Sequence, residues 1–389
     1  MRRLVICCDG TWNKPESQNV TNIEKIARTI ETNDDRTGGT EQLVHYLSGV
    51  GSHYYWFDRI LGGAFGFGLF SNVTAGYRFL ALNYEPGDEI YVFGFSRGAY
   101  TARSLVGMIG RIGLLSRDGL IANKLPEAVD RYRCSPGKKM NFGSSNEEFK
   151  RDNCHAPKIK MIGVFDTVGA LGVPGAIRSH HQFHDVKLSS AVQCARQALA
   201  IDERRLKFEP SLWEASESPD EAGAVDRVKQ VWFEGVHSDV GGGYGETGLS
   251  DTTLLWMAQE ASRQGLVFDR DRLDAYVASG SSPQRHDSLN AGYMLINAVG
   301  RLRHLFKPNP RFKGTRRVFN PPGTRDVKIS SSASQHGRDD DGYLAPNLDD
   351  FIASTPDGGI SNHIEDVISL PESSIGIVHE RLTVPVARV

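Results

Sequence analysis

The stretch Tyr91-Val92-Phe93-Gly94-Phe95-Ser96-Arg97-Gly98-Ala99-Tyr100 constrains this chain more than any other. It opens in β-formers and ends in small residues. Beyond it, Ala99, Ala102, Leu105 or Val106, Ile109 and Ile112 recur at helical spacing. A strand thus runs through G-x-S-x-G directly into a helix. Gly94 and Gly98 leave room for strand and helix to approach closely, and the turn lifts the Ser96 hydroxyl out of the sheet edge on a strained backbone. Strand, tight turn and helix together are the joint of a parallel α/β sheet.

The rest of the chain repeats that rhythm. Residues 2–8 form a first apolar strand. Thr21-x-x-Glu24 is a capping box that opens a helix with Ile23, Ile26, Ala27 and Ile30 on one face. "QLVHYLSGVG" is a second strand. A helix carrying Tyr77, Leu80 and Leu82 precedes the turn Pro86-Gly87-Asp88. "KIKMIGVF" is a buried strand ending at Asp166, and the spacing of Ala191, Ala195 and Leu199 predicts a helix after it. "VKQVWFEGV" is another strand, and Ser250 caps the helix "DTTLLWMAQEASRQ". The expectation is a mostly parallel sheet with helices on both faces, in one catalytic domain over 1–389. A polar insertion interrupts it at about 113–157. The Ser-, Arg-, Asn-, Asp- and Pro-rich stretch at about 275–350 reads as a lid, a small helical subdomain or loops.

Bulk properties exclude several classes. A net charge of −2 over 389 residues gives no electrostatic reason to expect nucleic acid. No apolar run is long enough to span a bilayer. Met1-Arg2-Arg3-Leu4-Val5-Ile6 begins like a signal peptide, but the apolar stretch stops at Asp9. Cys7, Cys8, Cys134, Cys154 and Cys194 include no C-x-x-C pair, so no zinc ribbon is expected and a reducing, cytoplasmic setting fits. Export by a route that needs no signal peptide stays open. No protein partner is legible.

Three polar residues follow three strands: Ser96, Asp166 and His237. In a parallel sheet all three lie on one edge, where ligands bind. A serine hydroxyl is a weak nucleophile without a base. His237 would take its proton and Asp166 would orient the imidazole. The Arg97 N–H would meet an oxyanion, with a second donor from Gly10 or Thr11 in "CDGTWN". Bland readings stand beside these: a glycine-flanked serine at a turn, an aspartate capping a turn, a loop histidine, and an Asx turn at Asp9 over a buried Trp12. A phosphatase D-G-T would need an aspartate two residues before Asp9, where Cys7 stands. A phosphate loop would need G-K-[ST] after its glycines, which is absent. Asp239 could serve the same site as His237, and His379 in "IGIVHERL" is the rival base. His180, His181 and His184 lack an H-E-x-x-H frame, so neither metal nor cofactor is expected. The Arg97 side chain could hold an anionic group or pair with a carboxylate. Trp56, Phe57, Leu61, Phe65 and Phe67 could line an acyl pocket, touch a membrane surface or pack a core.

"CDGTWN", "GFSRGAYTAR", "VFDTVGALG", "LAIDERRLKFEP" and "WFEGVHSDVGGGY" occur in that order, from residue 3 to about 260. The set resembles the α/β-hydrolase family that includes the catalytic domains of type VI secretion phospholipase effectors. The resemblance implies an α/β-hydrolase sheet and a Ser-Asp-His triad, which falls on Ser96, Asp166 and His237. It also implies a serine esterase or lipase acting on an ester or lipid, a phospholipid among the candidates. A binding or scaffold protein without turnover, or an acyltransferase or thioesterase on the same triad, are the alternatives.

Overall fold

Leu4 to Cys8 are apolar without a break, and both faces of the strand they form are covered. The computed structural model describes residues 1–10, 19–32, 35–49, 65–134, 142–168, 188–214, 227–278, 284–289, 293–294, 297–298, 312–313, 316–319, 321, 327–336, 345–354 and 363–367. In it β1 is Arg3–Cys8. Leu4, Ile6 and Cys8 enter one apolar cluster, Val5 and Cys7 another. A strand with no solvent face shows this alternation without any polar residue between.

β1 is parallel to β2 (Gln42–Leu47) on one side and β3 (Glu89–Phe95) on the other. Beyond β3 follow β6 (Ile159–Phe165), β7 (Val192–Ala200), β8 (Val228–Phe233), β11 (Val327–Ser330) and β12 (Ile364–Glu365). Every pairing in this eight-stranded sheet is parallel. The chain leaves β1 toward β2 and then returns to place β3 on the opposite side. Such a switch point opens a crevice at the carboxyl ends of the strands. The architecture is that of an α/β-hydrolase-like fold.

Helices cover both faces. α2 (Phe65–Asn83) and α3 (Arg97–Ile112) pack Tyr77, Leu80, Ala102, Leu105 and Ile109 on the first cluster. Leu82, also on α2, is half exposed. On the other face lie α1 (Asn22–Thr29), α8 (Gly248–Arg263) and α9 (Arg270–Ala278). Thr21 caps α1 by accepting the Glu24 N–H, while the Glu24 carboxylate turns to Arg28. Between α3 and β6 the chain leaves the sheet through β4 (Leu114–Leu115), α4 (Arg117–Ile121), α5 (Leu125–Arg133), α6 (Asn146–Asn153) and β5 (Cys154–His155). These elements close on a buried Arg131, which pairs with Glu127 and lies 4.5 and 4.6 Å from the Phe142 and Phe149 rings.

Three expectations need correction. Residues 192–200 form the central strand β7, not a helix. The i, i+4 spacing of Ala191, Ala195 and Leu199 misled. The polar Arg196 and Gln197 are buried in mid-strand, held by Glu260 and by Thr167, Gln230 and the Ser211 carbonyl. Ser250 does not cap α8. The N-cap is Thr247, and the Ser250 hydroxyl donates back to the Thr247 carbonyl. The stretch about 275–350, expected as a lid, subdomain or loops, contributes β11 to the central sheet. It also supplies the short antiparallel pair β9 (Phe312–Lys313) and β10 (Arg316–Arg317). Phe319, Val327, Ile329, α10 (Ser331–His336) and α11 (Pro346–Ser354) complete a third apolar cluster around Trp232. Among the described residues no helix is long and apolar enough to cross a membrane.

Lys25 on α1 meets Asp251 on α8 at 2.6 Å, with both side chains buried, and Thr247 donates to the second oxygen at 2.7 Å. Removing one partner leaves a buried charge unmet. Lys25→Met is therefore expected to lower unfolding stability by about 3–5 kcal/mol in urea titrations, and Lys25→Met with Asp251→Leu to recover most of it. A loss below about 1 kcal/mol, the surface-pair range, would contradict the burial of this pair.

Candidate active site

β3 ends at Phe95 and α3 begins at Arg97, with Ser96 alone between them. Its N–H still bonds the Phe165 carbonyl of β6 at 3.0 Å. Its backbone lies at φ 57° and ψ −119°, a region that costs about 1–3 kcal/mol for a residue with a side chain. The hydroxyl makes no helix-capping bond. The flanking glycines are explained by distance. A Cβ on Gly98 would sit 2.1 Å from the Cys8 carbonyl oxygen, and one on Gly94 would sit 2.6 Å from the Ala99 Cα. Any side chain there would push α3 off the ends of β1 and β3.

Asp166 follows β6, also at positive φ (36°), and is fully buried. Its Oδ1 accepts from the Ala200 N–H at 3.1 Å and from Arg317 Nη1 at 2.6 Å. Its Oδ2 meets His237 Nδ1 at 2.6 Å and Arg317 Nη2 at 3.1 Å. Burial would raise this carboxyl, but Arg317 and His237 override it and hold it well below the usual range. An ionised carboxylate only accepts, so Nδ1 carries the proton and Nε2 offers its lone pair. His237 is the first residue of α7 (His237–Gly241), just past β8. Its ring sits 4.6 Å from that of Phe95, the neighbour of Ser96, and 4.9 Å edge-on from that of Phe208. Burial lowers its pKa, against the pull of Asp166, so the imidazole is neutral at neutral pH. The sheet edge therefore gathers Ser96, Asp166 and His237.

The remaining residues fall differently. Gly10 lies against Ser96, since a Cβ on it would be 3.4 Å from the Ser96 Cβ. Its N–H, however, donates to Asp9 Oδ1 at 2.6 Å. Asp9 is buried and also accepts from the Thr21 and Tyr46 hydroxyls, so it braces the end of β1. The Arg97 guanidinium is pushed down to about 10 by burial, with Tyr293 acting the other way. Asp239 faces away to a second imidazole, His286, whose Nδ1 it meets at 2.6 Å. It also accepts the Val236 N–H. Thr11, His180, His181, His184, His379, Trp56, Phe57 and Leu61 lie outside the described residues.

Three contributors were not anticipated. Arg317 clamps Asp166 from 151 residues away. Glu203 and Arg205 form a largely buried pair beside His237: the His237 N–H points at Glu203 Oε2 at 3.4 Å, and Arg205 lies 3.5 Å over the Phe208 ring. Residues 285–288 strap this loop, with Arg285 facing Glu234, His286 on Asp239, Asp287 on Arg204 and Ser288 on Glu203. "LAIDERRLKFEP" was the only visible signal, and it carried no role.

A family model described as "T6SS, Phospholipase effector Tle1-like, catalytic domain" matches residues 2–260. A Saccharomyces cerevisiae relative, the uncharacterized protein YEL023C, is 34% identical over 227 residues, covering 53% of this chain and 32% of its own. A solved uncharacterized protein from Pseudomonas aeruginosa is 17% identical with a TM-score of 0.41, over 72% of this chain and 49% of its own. The Tle1 effector solved bound to the VgrG spike of the type 6 secretion system is 19% identical with a TM-score of 0.33, over 63% of this chain and 51% of its own. The chain thus spans about a third of the yeast relative and about half of each solved protein.

The buried pair makes stability depend on pH. The folded pKa of His237 lies below the unfolded value of about 6.5, so the folded state binds fewer protons as pH falls through that value. Stability is complete above it and declines below it. Asp166, also depressed, adds a further loss below about pH 4. The melting temperature is expected to fall from about pH 7 to about pH 5, and to fall less in His237→Gln. Equal slopes in the two proteins would contradict a neutral buried imidazole.

Proposed function

The chain belongs to the family of type VI secretion Tle1-like phospholipase effector catalytic domains, and from that premise we propose that it is a serine esterase of the lipase or phospholipase type. The observation that carries the reading is the His237–Asp166 contact of 2.6 Å, with the imidazole packed on the residue that precedes a strained, strand-terminal Ser96. In this reading the Ser96 turn is a nucleophile elbow.

His237 Nε2 removes the Ser96 hydroxyl proton as Oγ attacks the acyl carbon of an ester. Asp166 holds the imidazole in the tautomer that leaves Nε2 unprotonated and stabilises the imidazolium that forms. Negative charge develops on the former carbonyl oxygen. The Arg97 N–H, at the start of α3 directly after Ser96, is one donor. We assign the second donor to the Gly10-Thr11 turn after β1, where Gly10 lies against Ser96. The imidazolium passes its proton to the departing alcohol, and water then cleaves the acyl-enzyme by the same steps. No cofactor enters this sequence.

Family membership extends the proposal to a lipid substrate and contact with a lipid surface. We propose a cytoplasmic location, a reducing setting in which the five cysteines, none of them in a disulfide, stay as thiols.

A fluorophosphonate probe tests the reading, because it labels only an activated serine. Wild type and His379→Ala are expected to label, Ser96→Ala and His237→Ala are not, and Asp166→Asn should slow labelling by roughly two or more orders of magnitude. Unlabelled wild type should release fatty acid from phosphatidylcholine vesicles or acid from short-chain esters, and labelling should abolish that release. Labelling kept by His237→Ala and lost by His379→Ala would move the base to His379. A folded wild type that does not label would favour a binding protein without turnover.

A further inference from the structure

We propose that Arg317 is a positioning residue of this site, whose guanidinium fixes the Asp166 carboxylate and offsets the charge that His237 sees. Arg317 lies beyond the residues matched by the family model, on the two-residue strand β10. The proposal takes its activity readout from the serine-esterase reading above, while its geometry stands apart from it.

The carboxylate has about four lone-pair positions, and four donors occupy them. Arg317 supplies two, one to each oxygen, in the fork geometry that suits a guanidinium. The Ala200 N–H takes the third and His237 Nδ1 the fourth. Asp166 therefore cannot rotate without breaking a bond to Arg317, and the imidazole inherits that orientation. Arg317 is itself held. Its Nη1 and Nη2 also donate to the Ala200 and Phe208 carbonyls, and Asn347 donates to its carbonyl at 3.2 Å. Both Arg317 and Asp166 have no exposed surface, so water screens neither charge.

The electrostatic consequence has a definite sign. The charged groups facing His237 are Asp166, just after β6, with Glu203 and Arg205 from the segment after β7, and the Phe95 and Phe208 rings pack against its imidazole. Glu203 and Arg205 are already paired with each other. Asp166 alone would draw a proton onto the imidazole. Paired with Arg317, it presents a weaker, partly offset charge that still accepts the Nδ1–H. Burial then keeps His237 neutral, in agreement with its lowered pKa. A bare carboxylate would tie up the base at mildly acidic pH. The Arg317–Asp166 pair keeps the base available there.

The test compares Arg317→Met and Arg317→Lys with wild type in the full chain. The rate of fluorophosphonate labelling is read across pH, and the His237 ring is titrated by NMR, with His237→Gln identifying its signal. Arg317→Met is expected to raise the acid midpoint in both readouts by about one pH unit and to lower the labelling plateau about tenfold or more. Arg317→Lys keeps the cation and loses the fork, so its midpoint should stay near wild type while its plateau falls. A folded Arg317→Met with the wild-type midpoint would overturn the proposal, because a purely structural arginine changes stability without moving a titration. If Arg317→Met does not fold, an Arg317→Lys with the wild-type plateau overturns it. Were wild type not to label at all, the serine-esterase reading would fall, and the His237 titration would still decide this proposal.

Discussion

A carboxylate with no access to water has to find a donor for each of its lone pairs, and most of what surrounds the site follows from meeting that demand at Asp166. The donors come from separate parts of the chain: the end of β7, the start of α7 and the strand β10. None is near Asp166 in sequence. They converge because β6, β7 and β8 are adjacent and parallel, so their carboxyl ends share one edge. β10 is brought over that edge by the apolar cluster around Trp232 and Phe319. Leaving such a charge half met would cost several kcal/mol. The fold and the site geometry are thus one problem solved once.

A second constraint comes from the sheet itself. Both faces are buried under helices, so polar groups are concentrated at the strand ends. Asp9 follows β1, Ser96 follows β3, Asp166 follows β6, Glu203 follows β7 and His237 follows β8. Two of them, Ser96 and Asp166, hold positive φ without being glycine. Dense packing sustains that strain: the Cys8 carbonyl against Gly98, the Ala99 backbone against Gly94 and the Phe95 ring against Gly241 leave the turns nowhere to relax. The same packing strips water from His237 and keeps it neutral. A base that is dry, oriented and unprotonated is what the proposed chemistry requires.

Much of this was legible in advance where the signal is local. Apolar runs marked β1, β3, β6 and β8. Helical spacing marked α1 and α3, and Ser96, Asp166 and His237 stood out as polar residues directly after strands. Where a local pattern competed with tertiary context, it failed. Alanine spacing suggested a helix at 192–200, but the sheet needed a strand there, and buried polar partners satisfied Arg196 and Gln197. Ser250 looked like a cap because its hydroxyl suits one, yet α8 starts earlier and uses that hydroxyl on its own carbonyl. The weakly periodic stretch at 275–350 hid a sheet strand of four residues, too short for alternation to show.

The sequence alone determined the fold class, the strained serine turn and the order of the three polar residues at the strand ends. Each of these depends on residues close together in the chain: a repeating apolar period, two glycines around a serine, a polar side chain after a strand. Tertiary structure alone decided who meets whom. It paired Asp239 with His286 rather than bringing it to Asp166, gave the Gly10 N–H to Asp9, and brought Arg317 to Asp166. Ion pairs and hydrogen bonds between distant residues leave no periodic trace, because their geometry exists only after the chain has closed around them.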